Sequence, residues 1–465
     1  MKREMISFNK NTIVAISTPP GQGGIAIIRL SGPNAISTID KVFIGKSKAV
    51  ELEPWKATLG KIYDEEILID EVILVVYKAP FSYTKEDMVE ISCHGGVYIS
   101  QRILELLVHH GAQIANPGEF SFRAFMNGRL DLSQVEAVGS LIKAKTESSM
   151  QASLMQLDGK LSSMIHEIRT ELLDSCSLLE LELDFHDEDV EFVSRNDFVV
   201  LIEKIEQNIK NLIQTYKIGR IAREGIKVVI VGKPNVGKSS LLNKLLNEDR
   251  AIVNEIPGTT RDVLEVQLDL RGILFRVFDT AGIKSTNNAI ESEGISRAKK
   301  LIESAHIIVH VFDGSKQIEK EDLDIVQKLK DLVEKKVIRV INKIDLPQFI
   351  EKEIFSTDSI SVLKISANTG AGIDLLEGKL SDLVLNFKKD LFSEEVIITE
   401  VRHLNSLKQT LVSLQQAKNE AKNDVSSEFI SLSLREALDH LGEIVGIVTS
   451  EEILNNIFSK FCIGK

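Results

Sequence analysis

Cysteine is scarce. Cys93, Cys176 and Cys462 are the three in 465 residues, and no two form a C-x-x-C pair. That spacing argues against a disulfide framework and against a clustered-thiolate zinc site. No apolar run reaches the roughly 20 residues that a membrane-spanning helix needs. The opening Met-Lys-Arg-Glu-Met-Ile-Ser-Phe-Asn-Lys lacks the apolar core of a secretory signal. The expectation is a cytoplasmic chain with no membrane attachment. Positive charge is also short: the net charge is −12, which argues against a protein that coats nucleic acid with its whole surface. The acid is concentrated in residues 126–217, where Glu180 to Glu191 alone holds seven carboxylates. This region is the one least suited to lie on a phosphate backbone by itself. The stretch has neither the glycine nor the spacing of an EF-hand loop, so it reads as a solvated helix connection.

What is present is ordinary core material, 43% hydrophobic, in a chain long enough for two to four domains. Its most informative stretch runs from 227 to 282. Lys-Val-Val-Ile-Val (227–231) has the β-branched run of a buried parallel strand. Gly232-Lys-Pro-Asn-Val-Gly-Lys-Ser239 follows and fits G-x-x-x-x-G-K-(S/T), and a helical run begins at Ser240. Strand, loop and helix in that order confirm a phosphate-binding P-loop. The two glycines let backbone N–H groups turn toward phosphate oxygens, and the helix N-terminus adds partial positive charge. Asn235, Val236, Gly237, Lys238, Ser239 and Ser240 form the binding run. Lys238 is expected on the β- and γ-phosphates and Ser239 on Mg²⁺. Asp279-Thr-Ala-Gly282 is the matching D-x-x-G: Asp279 belongs to the Mg²⁺ shell and the Gly282 N–H meets the γ-phosphate. Thr259 and Thr260 occupy the switch I position, where a threonine hydroxyl completes that shell.

The base is read further on. Asn342-Lys343-Ile344-Asp345 follows the apolar strand 337–341. A carboxylate at Asp345 accepts two hydrogen bonds from guanine's ring N–H and exocyclic amine, whereas adenine would leave it unpaired. Asn342 is placed to reach the purine's other edge. Ser366-Ala367-Asn368, after strand 362–365, is placed to close over the base. In sequence order these motifs specify a GTPase domain. One position departs from the Ras pattern. Directly after D-x-x-G stands Ile283, which cannot orient a water as glutamine does. Glu291 and Glu293 are the nearest carboxylates, and no arginine finger is identifiable by pattern.

In chain order, residues 1–125 read as a small α+β domain with strands at 12–17, 25–30, 72–77 and 88–93 and a helix at 101–109. Gly21, Gly23 and Ala26 fit G-x-G-x-x-A, but the residues after them read as a strand, which rules out a dinucleotide fingerprint. Arg29 and Glu90 are polar within strands, as paired surface residues or as ligands. In Cys93-His94-Gly95-Gly96 the cysteine and histidine point to opposite strand faces, which disfavours a nucleophile–base couple. Residues 126–217 are helical by periodicity, 218–385 alternate strands and helices as a doubly wound GTPase domain, and 386–465 return to helix. The reading is a helical domain split by an inserted GTPase domain. The terminal Phe-Cys-Ile-Gly-Lys fits a prenylation box only superficially, since Gly464 is not aliphatic.

From Thr18-Pro-Pro-Gly through Pro117-Gly-Glu-Phe-Ser and the GTPase insert to Phe461-Cys-Ile-Gly-Lys465, the chain resembles the MnmE (TrmE) family of tRNA-modification GTPases. The resemblance implies a homodimer joined by N-terminal domains similar to folate-binding aminomethyltransferase domains. It implies a tetrahydrofolate one-carbon derivative bound by Arg29, Glu90, Arg129 and Lys465. Some members carry Lys at the position of Arg129. It implies GTPase domains that dimerise across the nucleotide and use K⁺, held at Asn235, Asn254, Ile256 and Thr259, with Glu291 positioning water. Cys462 is open to a catalytic role or to simple packing. The implied partner is the flavoprotein MnmG (GidA), in a heterotetramer or larger, with FAD on that partner. Together they add an aminomethyl-type group at carbon 5 of the wobble uridine, position 34, of certain tRNAs. Two other classes fit less well. A ribosome-assembly GTPase would carry a second P-loop or a KH-type module. A folate-binding scaffold would use its GTPase only for regulation.

Overall fold

The computed structural model describes residues 11–184, 194–246, 265–279, 299–330, 336–350, 361–383, 391 and 396–464. The chain forms two compact units. One is built from Met1–Gly139, Leu157–Glu203 and Ser406–Lys465, the other from Ser140–Gln156 and Lys204–Asn405.

The first unit contains a seven-stranded sheet: β1 (Ile13–Ile16), β2 (Ile25–Ser31), β3 (Phe43–Gly45), β4 (Thr58–Asp64), β5 (Ile67–Tyr77), β6 (Met88–His94) and β7 (Gln113–Ile114), in the order β3-β4-β5-β6-β2-β1-β7. Every pairing is antiparallel except β1 with β7. On β5, alternate residues Asp70, Val72, Leu74 and Val76 are buried, the period-2 signature of a sheet with one covered face. Ile103, Leu106 and Leu107 of the helix Val97–His109 join Val14, Ile28, Leu30 and Ile91 in that core.

The sheet is larger than the apolar pattern suggests. β3, β4 and β7 carry no clear alternation, and β5 starts five residues before the expected Val72. On β4 the inward positions are Gly60 and Ile62. A Cβ at Gly60 would fall 2.3 Å from the Phe43 ring, so the strand leaves that place empty for an aromatic on the neighbouring strand β3. The G-x-G-x-x-A stretch leads into β2, antiparallel to β1, as its failed helix context predicts. Cys93 is buried while His94 is exposed, its Nδ1 2.6 Å from Asp70 Oδ1.

Helices Lys160–Asp184 and Ser427–Val445 of this unit pack along each other, with Cys176 buried near Ser431. Of the acidic run, Glu180 is helical and pairs with Arg435, and residues 185–191 lie outside those described. The last helix, Glu451–Phe458, seats Phe458 edge-on against Phe122, with ring centroids 5.1 Å apart, in a cluster with Leu132, Val135 and Ile457. Among the described residues no helix is long and apolar enough to cross a membrane.

The second unit holds a six-stranded sheet: β8 (Ile226–Val231), β9 (Glu265–Leu270), β10 (Ile273–Asp279), β11 (Ile307–Asp313), β12 (Lys336–Asn342) and β13 (Ser361–Lys364), ordered β13-β12-β11-β8-β10-β9. All pairings are parallel except the β9–β10 hairpin. Its two-residue turn, Arg271-Gly272, has φ of +56° and +81°, matching the twist of the paired strands. Both faces are covered, which explains the continuous apolar runs. Leu241, Leu242 and Leu245 (helix Lys238–Leu246) with Leu376 and Leu380 (helix Ile373–Asp382) cover one, and Leu329 packs on the other with Val229 and Ile308.

Candidate functional site

The phosphate loop starts where β8 stops. Gly232 has φ +149°, and a Cβ there would lie 2.4 Å from the Val311 carbonyl oxygen. At Gly237, φ is +99° and a Cβ would lie 2.2 Å from Asn342 Nδ2. Both glycines are therefore demanded twice, by the turn and by close packing. Between them Asn235 adopts φ +65°, which Asn tolerates better than most residues. Lys238 is buried and donates from Nζ to the carbonyls of Gly232 at 2.8 Å and Lys233 at 2.6 Å. Ser239 Oγ donates to Asp279 Oδ2 at 2.6 Å, and Asp279 is fully buried at the end of β10. A hydroxyl and a carboxylate side by side are the hard oxygen donors that Mg²⁺ takes.

The segments expected to read the base converge on this loop. Asn342 is almost fully buried. Its Nδ2 donates to the Val236 carbonyl at 2.8 Å, and its Oδ1 accepts from Ala367 N at 2.9 Å. Its side chain thus braces the phosphate loop to the 366–368 segment, a role that the motif does not reveal. Lys343, at φ +66°, donates to the Asn235 carbonyl at 2.9 Å and to Asp313 Oδ2 at 2.6 Å. Burial pushes the Asp313 carboxyl up, but hydrogen bonds from Lys343 and Ser315 overcome it and leave the group below its ordinary value. Asp345 Oδ1 accepts from Ser366 Oγ at 2.6 Å. That bond, with a further one from Asn368, holds the carboxyl below the usual range, so it stands ready as an acceptor. Ser240 is exposed at the start of the helix. Asn254, Ile256, Thr259, Thr260, Gly282 and Glu291 lie outside the described residues, as does Lys465.

A second cluster lies in the first unit. Arg29 on β2 and Glu90 on β6 are register partners. Arg29 Nε and Nη2 both donate to Glu90 Oε1, at 2.9 and 2.7 Å. Tyr77 OH donates to the other oxygen at 3.2 Å. Burial, then the Glu90 charge, raises the Tyr77 pKa, which keeps it a donor. A cavity of about 430 Å³ opens beside the pair, lined by Trp55, Tyr77, Tyr83, Glu90 and Arg129 among others. Arg129 lies 4.7 Å over the Tyr83 ring and donates to that residue's carbonyl at 3.2 Å. Arg29 is not among the lining residues; it sits behind Glu90 and fixes it. Cys462 is exposed and also does not line the cavity. Its carbonyl accepts from Gly118 N at 3.4 Å, and the Gly464 carbonyl accepts from Ser17 Oγ at 3.1 Å, which seats the tail at the end of β1. Sequence reading missed the aromatic lining. The signal for it was faint: the one tryptophan and two of the five tyrosines gather here.

Comparison with known proteins agrees along the whole chain. Residues 12–129 match the GTP-binding protein TrmE N-terminus, and residues 132–462 match the MnmE helical domain. A protein of Chlorobaculum tepidum named tRNA modification GTPase MnmE is 42% identical over 460 residues, 97% of each chain. One of the same name from Natranaerobius thermophilus is 42% identical over 462 residues, 98% of this chain and 100% of its own. Among solved structures, Aquifex aeolicus Era bound to GDP.AlF4- is 29% identical over 40% of this chain and 66% of its own, with a TM-score of 0.27. Kinship of this extent, on a chain whose phosphate loop, Asp279 and Asn342–Asp345 meet in one place, makes it a member of the MnmE (TrmE) family and a GTP hydrolase.

Proposed function

We propose that this GTPase is K⁺-activated and modifies carbon 5 of the wobble uridine, position 34, of certain tRNAs, working as a homodimer with an MnmG-type flavoprotein that carries the FAD. Its domains fall near 1–125, 126–217, 218–385 and 386–465, the third inserted into a helical domain formed by the second and fourth. The observation that carries the reading is the full-length kinship to relatives named for tRNA modification. Lys238 binds the β- and γ-phosphates, Asp345 with Ser366 reads guanine, and Ser239 with Thr260 would hold Mg²⁺, which neutralises phosphate charge when bound. Asn235, an exposed residue whose amide oxygen is a hard donor, would hold K⁺ with Asn254, Ile256 and Thr259. Glu291 orients the attacking water in place of the glutamine that Ile283 replaces. GTP hydrolysis closes and reopens the GTPase dimer and so moves the helical domain.

The 430 Å³ cavity fits a tetrahydrofolate one-carbon derivative by its donor set: aromatic faces for a flat ring and a fixed carboxylate for its N–H edge. Glu90 would accept from that ring, Arg29 holds Glu90 in place, and Arg129 and Lys465 would meet its acidic end. Cys462 is the residue to test for a covalent role. GTP turnover in K⁺ against Na⁺ at equal ionic strength, with Asn235→Ala alongside, tests the cation mechanism. Strong K⁺ stimulation, lost in the variant, is expected; equal rates in both salts would overturn it. Mass spectrometry of tRNA nucleosides from cells with and without the gene tests the modification, and an unchanged wobble uridine refutes it.

A further inference from the structure

The phosphate loop is fastened from outside as well as from inside. The inner fastening is Lys238 Nζ, which donates to the carbonyls of Gly232 and Lys233 and, with three protons to give, can also reach a phosphate. The outer fastening is made by the side chain of Lys233, the first variable residue of the loop. Its Nζ lies 2.7 Å from Asp322 Oδ2 and 2.8 Å from Glu319 Oε2. Lys233 and Asp322 are mostly buried, at 14% and 6% side-chain exposure, while Glu319 is open to solvent. The carboxylate end is itself rigid. Asp322 Oδ2 also accepts from Glu319 N at 3.0 Å at the start of the helix Lys320–Lys330, which is anchored in the sheet's core by Leu329. Two residues on, Lys343 grips the Asn235 carbonyl. Neither outer contact uses the backbone N–H groups that face the phosphates.

We propose that Lys233 is a positioning residue of the nucleotide site, its ion pairs with Asp322 and Glu319 holding the phosphate loop in the shape that receives the nucleotide. A loop held in its bound shape loses less conformational freedom on binding, so the clamp acts on affinity rather than on the bond-breaking step. Lys233 touches no reacting atom; its effect travels through the carbonyl at 233 and the turn through Pro234 to Asn235.

The test uses the full chain, with a fluorescent GDP analogue for affinity and rapid mixing for release, and steady-state GTP hydrolysis for KM and kcat. Lys233→Ala should weaken GDP binding and raise KM for GTP about tenfold, mainly through faster release, with kcat within about twofold. Lys233→Arg, which can still reach both carboxylates, should recover most of the loss. Lys233→Ala and Asp322→Ala should be non-additive when combined. Wild-type affinity and KM in Lys233→Ala would overturn the proposal. So would a fall in kcat at unchanged KM, which would place Lys233 in the chemistry. Should Lys233→Ala fail to fold, Glu319→Gln with Asp322→Asn removes both charges while keeping the lysine and the helix start. A KM unchanged in that pair overturns the proposal equally.

Discussion

His310 sits where, among the described residues, a histidine has no hydrogen-bond partner. It lies in the centre of β11, in a run buried at every position, and is itself fully buried. Neither ring nitrogen has a hydrogen-bond partner among the described residues, and the ring packs 4.1 Å from that of Phe312. Its register partner on β12 is Arg339. Burial first, then the charges of Arg339 and Lys238, pushes its pKa down to about 3. The unfolded chain titrates near the ordinary value of about 6.5. Between those values the unfolded state binds the extra proton, so stability is full above about pH 6.5 and falls as pH drops toward 3. At about 1.4 kcal/mol per pH unit, this one ring removes about 2 kcal/mol from the second unit between pH 7 and pH 5.

His310→Leu keeps a similar volume and removes both unpaired nitrogens. It should add about 1–3 kcal/mol at pH 7, the usual cost of leaving buried polar atoms unpaired, and abolish the acid-dependent part that the ring contributes. Denaturant-dependent hydrogen exchange read by mass spectrometry on peptides covering Ile307–Asp313 measures both quantities locally. Other groups that titrate in this range act alike in both proteins, so the difference between them isolates the ring. Equal losses in wild type and variant between pH 7 and pH 5 would refute the reasoning. They would mean that the imidazole is protonated in the fold or partnered there.

Three further outcomes follow from the contacts. Ser366→Ala removes the donor that holds Asp345 ionised and aimed, and should raise KM for GTP about fivefold; a steady-state titration checks it. Phe458→Ala empties the cluster with Phe122 and Leu132 and should cost about 3–5 kcal/mol. Urea unfolding followed by the lone tryptophan, Trp55, reads that loss because both residues belong to the first unit. Glu90→Gln removes the charge that, after burial, holds the Tyr77 pKa up, so Tyr77 should titrate at lower pH. Tyrosinate absorbance, with Tyr77→Phe to assign the signal, shows the shift.

The nucleotide site was legible because its chemistry leaves few choices of residue. Only glycine fits where Val311 and Asn342 press on the loop at 232 and 237, and the carboxylate at Asp345, expected to read guanine, is fixed by the Ser366 hydroxyl. What stayed hidden depends on partners far away in sequence. The polar residues Arg29 and Glu90 announce themselves inside strands, yet nothing along the chain says that β2 and β6 are neighbours or that the two residues share a register. Asn342 reads as a ligand of the base, and only the fold shows both ends of its amide already engaged, one with the phosphate loop and one with Ala367. β4 hides for a related reason: one of its two inward positions is a glycine that makes room for Phe43, so the cavity side of the packing is written in one segment and the filling side in another. His310 is the converse, a residue whose identity contradicts its surroundings. Five of its six strand neighbours specify apolar burial, and the sheet buries the imidazole because those five residues outweigh one costly one. A sequence reading that scores agreement with the pattern passes over such a residue, whereas one that scores the free energy of each exception stops at it first.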